Sequence, residues 1–444
     1  MQQAQKLLQN HIKIFKMKNV IVLSISIFFT TTVFAQVKTN AELKTLINQS
    51  FTYFPKVKEI ENTLNTAEEK LQVTTLNKMP DVSFSTAYNF IMPKISFPIN
   101  GKEFQFAPTN NIAASLGSSY TLFDFGRLKA NIVKSKTDIQ VAKDNIELVK
   151  SQLANQISVI YYNIVYLQKA MSIQDSVINY FKENKMMVEN KVKSGEMINI
   201  DVLNLQANID AEENKKIDLN NNLKKQFSLL DFTTGSKITS GNIFDFDIDA
   251  INSVASVDVA QQNNPEFQLA KDKILLAQKE VNIVKLNSKP TIGLHAATGF
   301  RNGFVPEVNN LKFNYMAGFT FSLPIYSFGK TKEQIKFQQG FVKQNELAQI
   351  SLTSNYKKDI EQSMIDVNTN IERIKNTESQ LTATKMAQQL TTVRYKNGVA
   401  TYLDVTAAAT NVQKAALSHL QYEYQLCLAK IELAKLLGYQ FWNN

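Results

Sequence analysis

The residues of this 444-residue chain that could do chemistry are few, and their spacing decides against most of them. Gly329-Lys330-Thr331 ends like a phosphate-binding loop, but the position that needs the first glycine of such a loop is Pro324. The three histidines, His11, His295 and His419, have no metal-ligand spacing to one another. Cys427 is the only cysteine, so an intrachain disulfide is excluded, and its apolar helical surroundings mark it as a small buried residue. No Gly-x-Ser-x-Gly or His-Glu-x-x-His occurs, and the acids of "DFDIDA" are too loosely arranged for a calcium loop. The chain therefore reads as a non-enzyme with no cofactor. Asp201 and Asp404 each lie six residues after a glycine, near the start of a helix. A single aspartate in the first turn of a helix complements the helix dipole.

The elements that must position these residues are written twice. Pro55, Ala67, Pro80 and Phe90 recur as Pro265, Ala277, Pro290 and Phe300, at an offset of 210 without a gap. Beyond the next loop the offset is 203: Phe125-Gly126 recurs as Phe328-Gly329, Gly195 as Gly398, and Asp201-Val202 as Asp404-Val405. One length change confined to one loop reconciles the halves. Each unit reads helix, strand, loop, strand, very long helix, turn, helix. The expected organisation is a leader at 1–35, a first repeat at 36–232, an inter-repeat segment at 233–260 and a second repeat at 261–444.

Period-two alternation marks the strands. Val82, Phe84, Thr86, Tyr88 and Phe90 oppose Ser83, Ser85, Ala87 and Asn89; Ile112, Ala114, Leu116, Ser118, Tyr120 and Leu122 form the matching apolar set of the next strand. The second unit repeats this with Ile292 to Phe300 and, most clearly, with Phe313, Tyr315, Ala317, Phe319, Phe321 and Leu323. About ten residues with one apolar, aromatic face and one small, polar face is the signature of a membrane β-barrel strand. Four strands cannot close a barrel, and an open edge in lipid leaves unpaired backbone groups that cost several kcal/mol each. Two copies would give eight strands and a filled interior, whereas three give twelve and a lumen, which suits the small, polar inner faces.

After each strand pair, an aromatic-x-Phe-Gly sequence (Phe123 to Gly126, Tyr326 to Gly329) leads directly into a helix. The aromatics suit a membrane interface, and each glycine would carry the backbone from strand to helix over one residue. Ile132, Ile139, Ile146, Leu153, Ile160 and Leu167 then recur every seven residues, and Ile360, Met364, Val367, Ile371, Ile374 and Leu381 step by four and three, as in coiled coils. Continuity ends at Ser194-Gly195 and Asn397-Gly398, where the glycines can act as left-handed caps that reverse the chain.

Lys13, Lys16 and Lys18 precede an apolar stretch that ends in small residues near Ala35, as expected of a secretory leader, with Met17 an alternative start. Its removal takes four lysines and no acid, lowering the formal charge from +10 to +6. The remaining charges are interspersed, which fits a solvated helical surface and not a nucleic-acid-binding face.

With these residues in view, the chain resembles the TolC family of outer-membrane efflux proteins. The resemblance rests on the duplicated unit, the prolines bracketing the helix before each first strand, "LFDFG" and "SFG", and the "G…DV" turns. It implies a mixed α/β membrane protein in which four antiparallel strands per protomer build a 12-stranded outer-membrane barrel in a homotrimer. A long α-helical coiled-coil tunnel would continue the barrel through the periplasm, and the helix turns at Ser194, Gly195, Asn397 and Gly398 would dock a periplasmic adaptor (membrane fusion) protein. Through it the trimer would meet an inner-membrane pump or ABC transporter, as the passive duct of a tripartite efflux or type I secretion system. Asp404 matches the first acidic position of the family's periplasmic aperture, and Asp201 is its counterpart in the first unit. The second acidic position is Ala407 here, a departure that weakens a double acidic ring. The competing reading is a structural coiled-coil protein of the cell envelope that conducts nothing.

Overall fold

The computed structural model describes residues 37–99, 101–237, 243–248 and 255–443. The expected leader and parts of the inter-repeat segment lie outside the described residues. Two series of matched elements follow one another. The first holds α1 (Ala41–Tyr53), α2 (Pro55–Leu76), β2 (Asp81–Phe90), β5 (Asn110–Phe123), α3 (Arg127–Lys193) and α4 (Asn199–Thr234). The second holds α5 (Val257–Asn263), α6 (Pro265–Leu286), β7 (Thr291–Arg301), β8 (Lys312–Ser322), α7 (Lys330–Lys396) and α8 (Tyr402–Leu437). α2 and α6 are both 22 residues, α3 and α7 both 67, and α4 and α8 both 36. At 1.5 Å per residue the long helices extend about 100 Å.

Local chemistry explains the boundaries. Pro55 and Pro265 occupy the first helical turn, where a missing N–H costs nothing. Asn264 caps α6 by accepting from the Glu266 N–H at 2.9 Å, whereas Phe54 at the matching position offers no side-chain cap. The extra residues of the first loop form a small hairpin of β3 (Ser96–Ile99) and β4 (Lys102–Gln105). A second two-stranded ribbon joins β1 (Val37–Lys38) to β6 (Asp247–Ile248).

The main sheet is antiparallel throughout in the order β2-β5-β7-β8, which leaves β2 and β8 as free edges. Its register keeps the two expected faces apart across all four strands. Phe84, Leu116, Thr298 and Tyr315 share one row, and Thr86, Ala114, Phe300 and Phe313 another. On the opposite face Ser85, Ser115, Gly299 and Asn314 align, as do Ser119, His295 and Gly318. Leu122 departs from the alternation. A bulge between Thr121 and Phe123 places Phe123, not Leu122, opposite Ile292, so the apolar row there continues through Phe123. Among the described residues no helix is long and apolar enough to cross a membrane.

Sheet neighbours become helix neighbours. Side by side run α2, α3, α6 and α7, while further along the bundle α4 packs on α3, and α8 packs on both α3 and α7. The heptad residues Ile146, Leu153, Ile160 and Leu167 are buried, and so are Ile360 and Val367, but Ile371 is exposed. The largest core lies at mid-length of α3. There Tyr161 donates to Glu42 at 2.9 Å and Tyr162 to Asp245 at 2.7 Å. Burial, followed by the acids they serve, pushes both phenols well above their usual range. α1, the β1–β6 ribbon and the C-terminal Phe441 and Trp442 wrap this level, with Phe246 edge-on to Phe441 at 5.1 Å.

Candidate functional site

Two regions hold the residues singled out in the sequence: the joints between sheet and helices, and the turns at the far end of the bundle. At the joints the chain needs more than a glycine. Phe125 (φ 54°) and Phe328 (φ 49°) are left-handed as well as Gly126 (φ 89°) and Gly329 (φ 81°). The turn therefore spends two consecutive residues in a region that an L side chain enters only at a cost. The nearby aromatics brace it: Phe125 lies edge-on to Phe123 at 4.7 Å, and Phe328 edge-on to Tyr326 at 4.6 Å. In the first joint Asp124 also accepts from the N–H groups of Gly126 and Leu128 and so serves the start of α3. Lys330-Thr331 simply opens α7, and no phosphate-type loop precedes it.

The first joint is tied to the second series of elements. Arg127 Nη2 donates to the carbonyls of Leu286 and Asn287 at 3.3 Å and of Lys289 at 3.4 Å, where α6 ends. A cleft of about 560 Å³ beside it is lined by Asn77, Tyr120, Phe123, Asp124, Arg127 and Thr291, among others. The second joint touches nothing comparable. Every residue from Phe321 to Lys330 is exposed, with Ile325 at 91% and Phe328 at 89%.

At the far end, Gly195 (φ 80°) and Gly398 (φ 77°) close α3 and α7 in the same way. Each donates its N–H to a carbonyl three residues back, and Glu196 and Val399 donate to carbonyls five residues back. The two turns pack on one another through Val188, Leu205, Tyr395 and Val405. Asn204 donates to the Tyr402 hydroxyl at 3.1 Å, and Lys191 lies over the Tyr395 ring at 4.7 Å. Around them Ile198, Ile200, Leu203, Val399 and Leu403 are exposed.

Asp404 is exposed and forms a capping box: its Oδ2 accepts from the Thr401 N–H and hydroxyl, both at 2.8 Å, while its own N–H donates to Thr401 Oγ1 at 3.2 Å. These bonds, the backbone one first, hold its carboxyl below the usual range, and Arg394 nearby adds to the effect. Asp201 lies in the first turn of α4 without a side-chain cap and is half-buried. The aspartate singled out as the stronger aperture candidate thus has the clearer structural task. Thr401-x-x-Asp404 is a readable capping signature, whereas Arg127 and Arg394 carry no local pattern that marks them. His295 and His419 stay apart, His295 Nδ1 lying 3.3 Å from Thr320 Oγ1 and His419 Nδ1 lying 3.1 Å from Thr377 Oγ1. No cluster of metal-ligating side chains occurs among the described residues. Cys427 is buried, which pushes its thiol far up.

The profile of the outer membrane efflux protein family matches residues 46–236 and 257–439, one match for each series of elements. The chain belongs to this family. Toxin and drug export protein A of Aggregatibacter actinomycetemcomitans is 25% identical over 331 residues, spanning 71% of this chain and 70% of that protein. Outer membrane protein TolC of Escherichia coli is 21% identical over 351 residues, spanning 74% and 70%. The Campylobacter jejuni CmeC outer membrane channel superposes with a TM-score of 0.76 at 15% identity, covering 93% of this chain and 90% of that one. By family the protein is an outer membrane efflux protein, seated in the outer membrane, and its fold is that of solved outer-membrane channels. Its family and fold are those of channel proteins and not of enzymes.

Proposed function

We propose that three copies close a 12-stranded barrel whose apolar rows face outer-membrane lipid, and that their helices continue it as a periplasmic tunnel. The observation that carries this reading is the sheet with two free edges, β2 and β8, one predominantly apolar, aromatic face and one of mostly small, polar residues. Backbone groups on such edges find no partner in hydrocarbon, so further copies must supply it. Three copies, not two, leave a lumen for the small, polar face to line.

The assembly is a passive export duct, and the energy comes from an inner-membrane pump or ABC transporter. A periplasmic adaptor protein docks on the turns at Ser194, Gly195, Asn397 and Gly398, where the exposed Ile198, Val399 and Leu403 provide apolar surface. Asp404 and Asp201, brought around the threefold axis, polarise the aperture towards cations. Phe125-Gly126 and Phe328-Gly329 set the level at which barrel becomes tunnel. Residues 1–35 act as a leader and are removed, and residues 233–260 are the equatorial segment between the repeats. The test is reconstitution of detergent-extracted protein into planar bilayers. A trimer producing stepwise ionic conductance is expected; a rod that never conducts would overturn the reading.

A further inference from the structure

The chain contains a complete example of the contact that its own open side lacks. Within one protomer the first repeat meets the second through β5 on β7 and, beyond the joint, α3 on α6. In that contact Tyr120 stands opposite Leu294, Ser119 opposite His295 and Leu116 opposite Thr298, and Arg127 closes over the carbonyls that end α6. β8 and α7 are the second-repeat counterparts of β5 and α3, yet among the described residues β8 has no strand on its outer edge and α7 has no second neighbour in the row of helices. β2 and α2 are the first-repeat counterparts of β7 and α6, and they are bare in the same way: all ten residues of β2 are exposed and α2 buries only Val57.

We infer that β8 of one copy pairs antiparallel with β2 of the next in one register, with Ser322 opposite Ser85 of the next copy. The sequence offsets dictate it, since position 203 beyond Ser119 is Ser322 and position 210 before His295 is Ser85. The same transfer sets Phe319 opposite Tyr88 and Leu323 opposite Phe84, so apolar rows meet apolar rows across the seam. Pro324 falls at the end of this ladder, where a residue without an N–H is tolerated. Lys330 takes the place of Arg127 and reaches the carbonyls of Leu76, Asn77 and Met79 in the next copy, a cation at a helix C-terminus. The exposed second joint is thus completed by the neighbouring copy. This inference rests on the proposed trimer and adds its register.

Directly opposed residues of an antiparallel pair have Cα atoms about 4.5–5.5 Å apart, within disulfide reach. In a Cys427→Ala background, Ser85→Cys with Ser322→Cys should therefore oxidise in outer membranes to covalent dimers and trimers on denaturing gels. Ser83→Cys or Ala87→Cys paired with Ser322→Cys, each two residues out of register on the same face, should give at least several-fold less. A trimer by mass that cross-links best through Ser83 or Ala87 would overturn the register while leaving the trimer standing. A monomer without cross-links would overturn both. As a second readout, Lys330→Glu should lower the temperature at which the trimer dissociates and Lys330→Arg should not; equal behaviour of the two would remove Lys330 from the seam.

Discussion

α3 and α7 have the same length, follow the same joint and end in the same turn, yet α3 buries 22 of its residues and α7 only seven. Tyr162 is fully buried, whereas Ile365 at the matching position is 63% exposed. The difference is one of position in the row of helices and not of helix quality. In the row α3 lies between α2 and α6, and it also meets α1, α4 and α8; among the described residues α7 has only α6 beside it in the row, with α8 packed on it further along. Phe337, Phe341, Leu347 and Ile350 lie exposed along α7, and one isolated chain has no means of covering them. Matched elements carry their own control: where one is covered and its counterpart is bare, the bare one shows what is missing.

The largest effect should come from breaking this symmetry on the covered side. Tyr162→Ala removes a fully buried ring and its bond to Asp245, and should destabilise the isolated protomer by about 3–5 kcal/mol in denaturant unfolding. Ile365→Ala should leave protomer unfolding within about 0.5 kcal/mol of wild type while lowering the dissociation temperature of the assembly. Equal protomer destabilisation by both would end the comparison.

A second difference is electrostatic. Asp144 on α3 faces Asp272 on α6, and burial first, then the hydrogen bond and charge of Asp272, push its carboxyl up to about 6. The folded chain therefore binds this proton more tightly than the unfolded one, whose pKa is near 3.8. Its stabilising contribution is fully present below pH 3.8 and is lost as pH rises to about 6, after which the loss is constant. Asp144→Asn should flatten that slope and raise the melting temperature at pH 7. The matching position on α7 is Leu347, so Leu347→Asn should leave the slope unchanged.

The smallest effect concerns the two turns. Asp404→Asn retains an acceptor for the Thr401 N–H but removes the charge, so it should lower cation preference and divalent-ion block of single channels with little loss of stability. Asp404→Ala should in addition loosen the start of α8, because the capping-box bonds to Thr401 are lost. Unchanged selectivity in Asp404→Asn would confine this residue to capping.

Much of this architecture was legible because its elements come in matched pairs. The offsets of 210 and 203 fixed the pairing of elements, and alternation from Val82 and from Phe313 placed the edge strands to within a residue or two. Alternation could not reveal the bulge at Leu122, which depends on how β5 meets β7 in three dimensions. Nor could it show that Phe125 and Phe328 share the left-handed turn, because phenylalanine is an improbable residue there and only its ring partners make it tolerable. Phe441 and Trp442 joined the core by tertiary contact alone, with no periodic pattern to announce them. The capping box at Thr401 and Asp404 is readable locally, because a threonine three residues before an aspartate at a helix start is its signature.

The mass of the complex extracted from outer membranes in mild detergent tests the central claim most directly. Native mass spectrometry should give three chains per particle, because each brings four strands with two bare edges. A stable single chain, or a closed pair, would contradict the account.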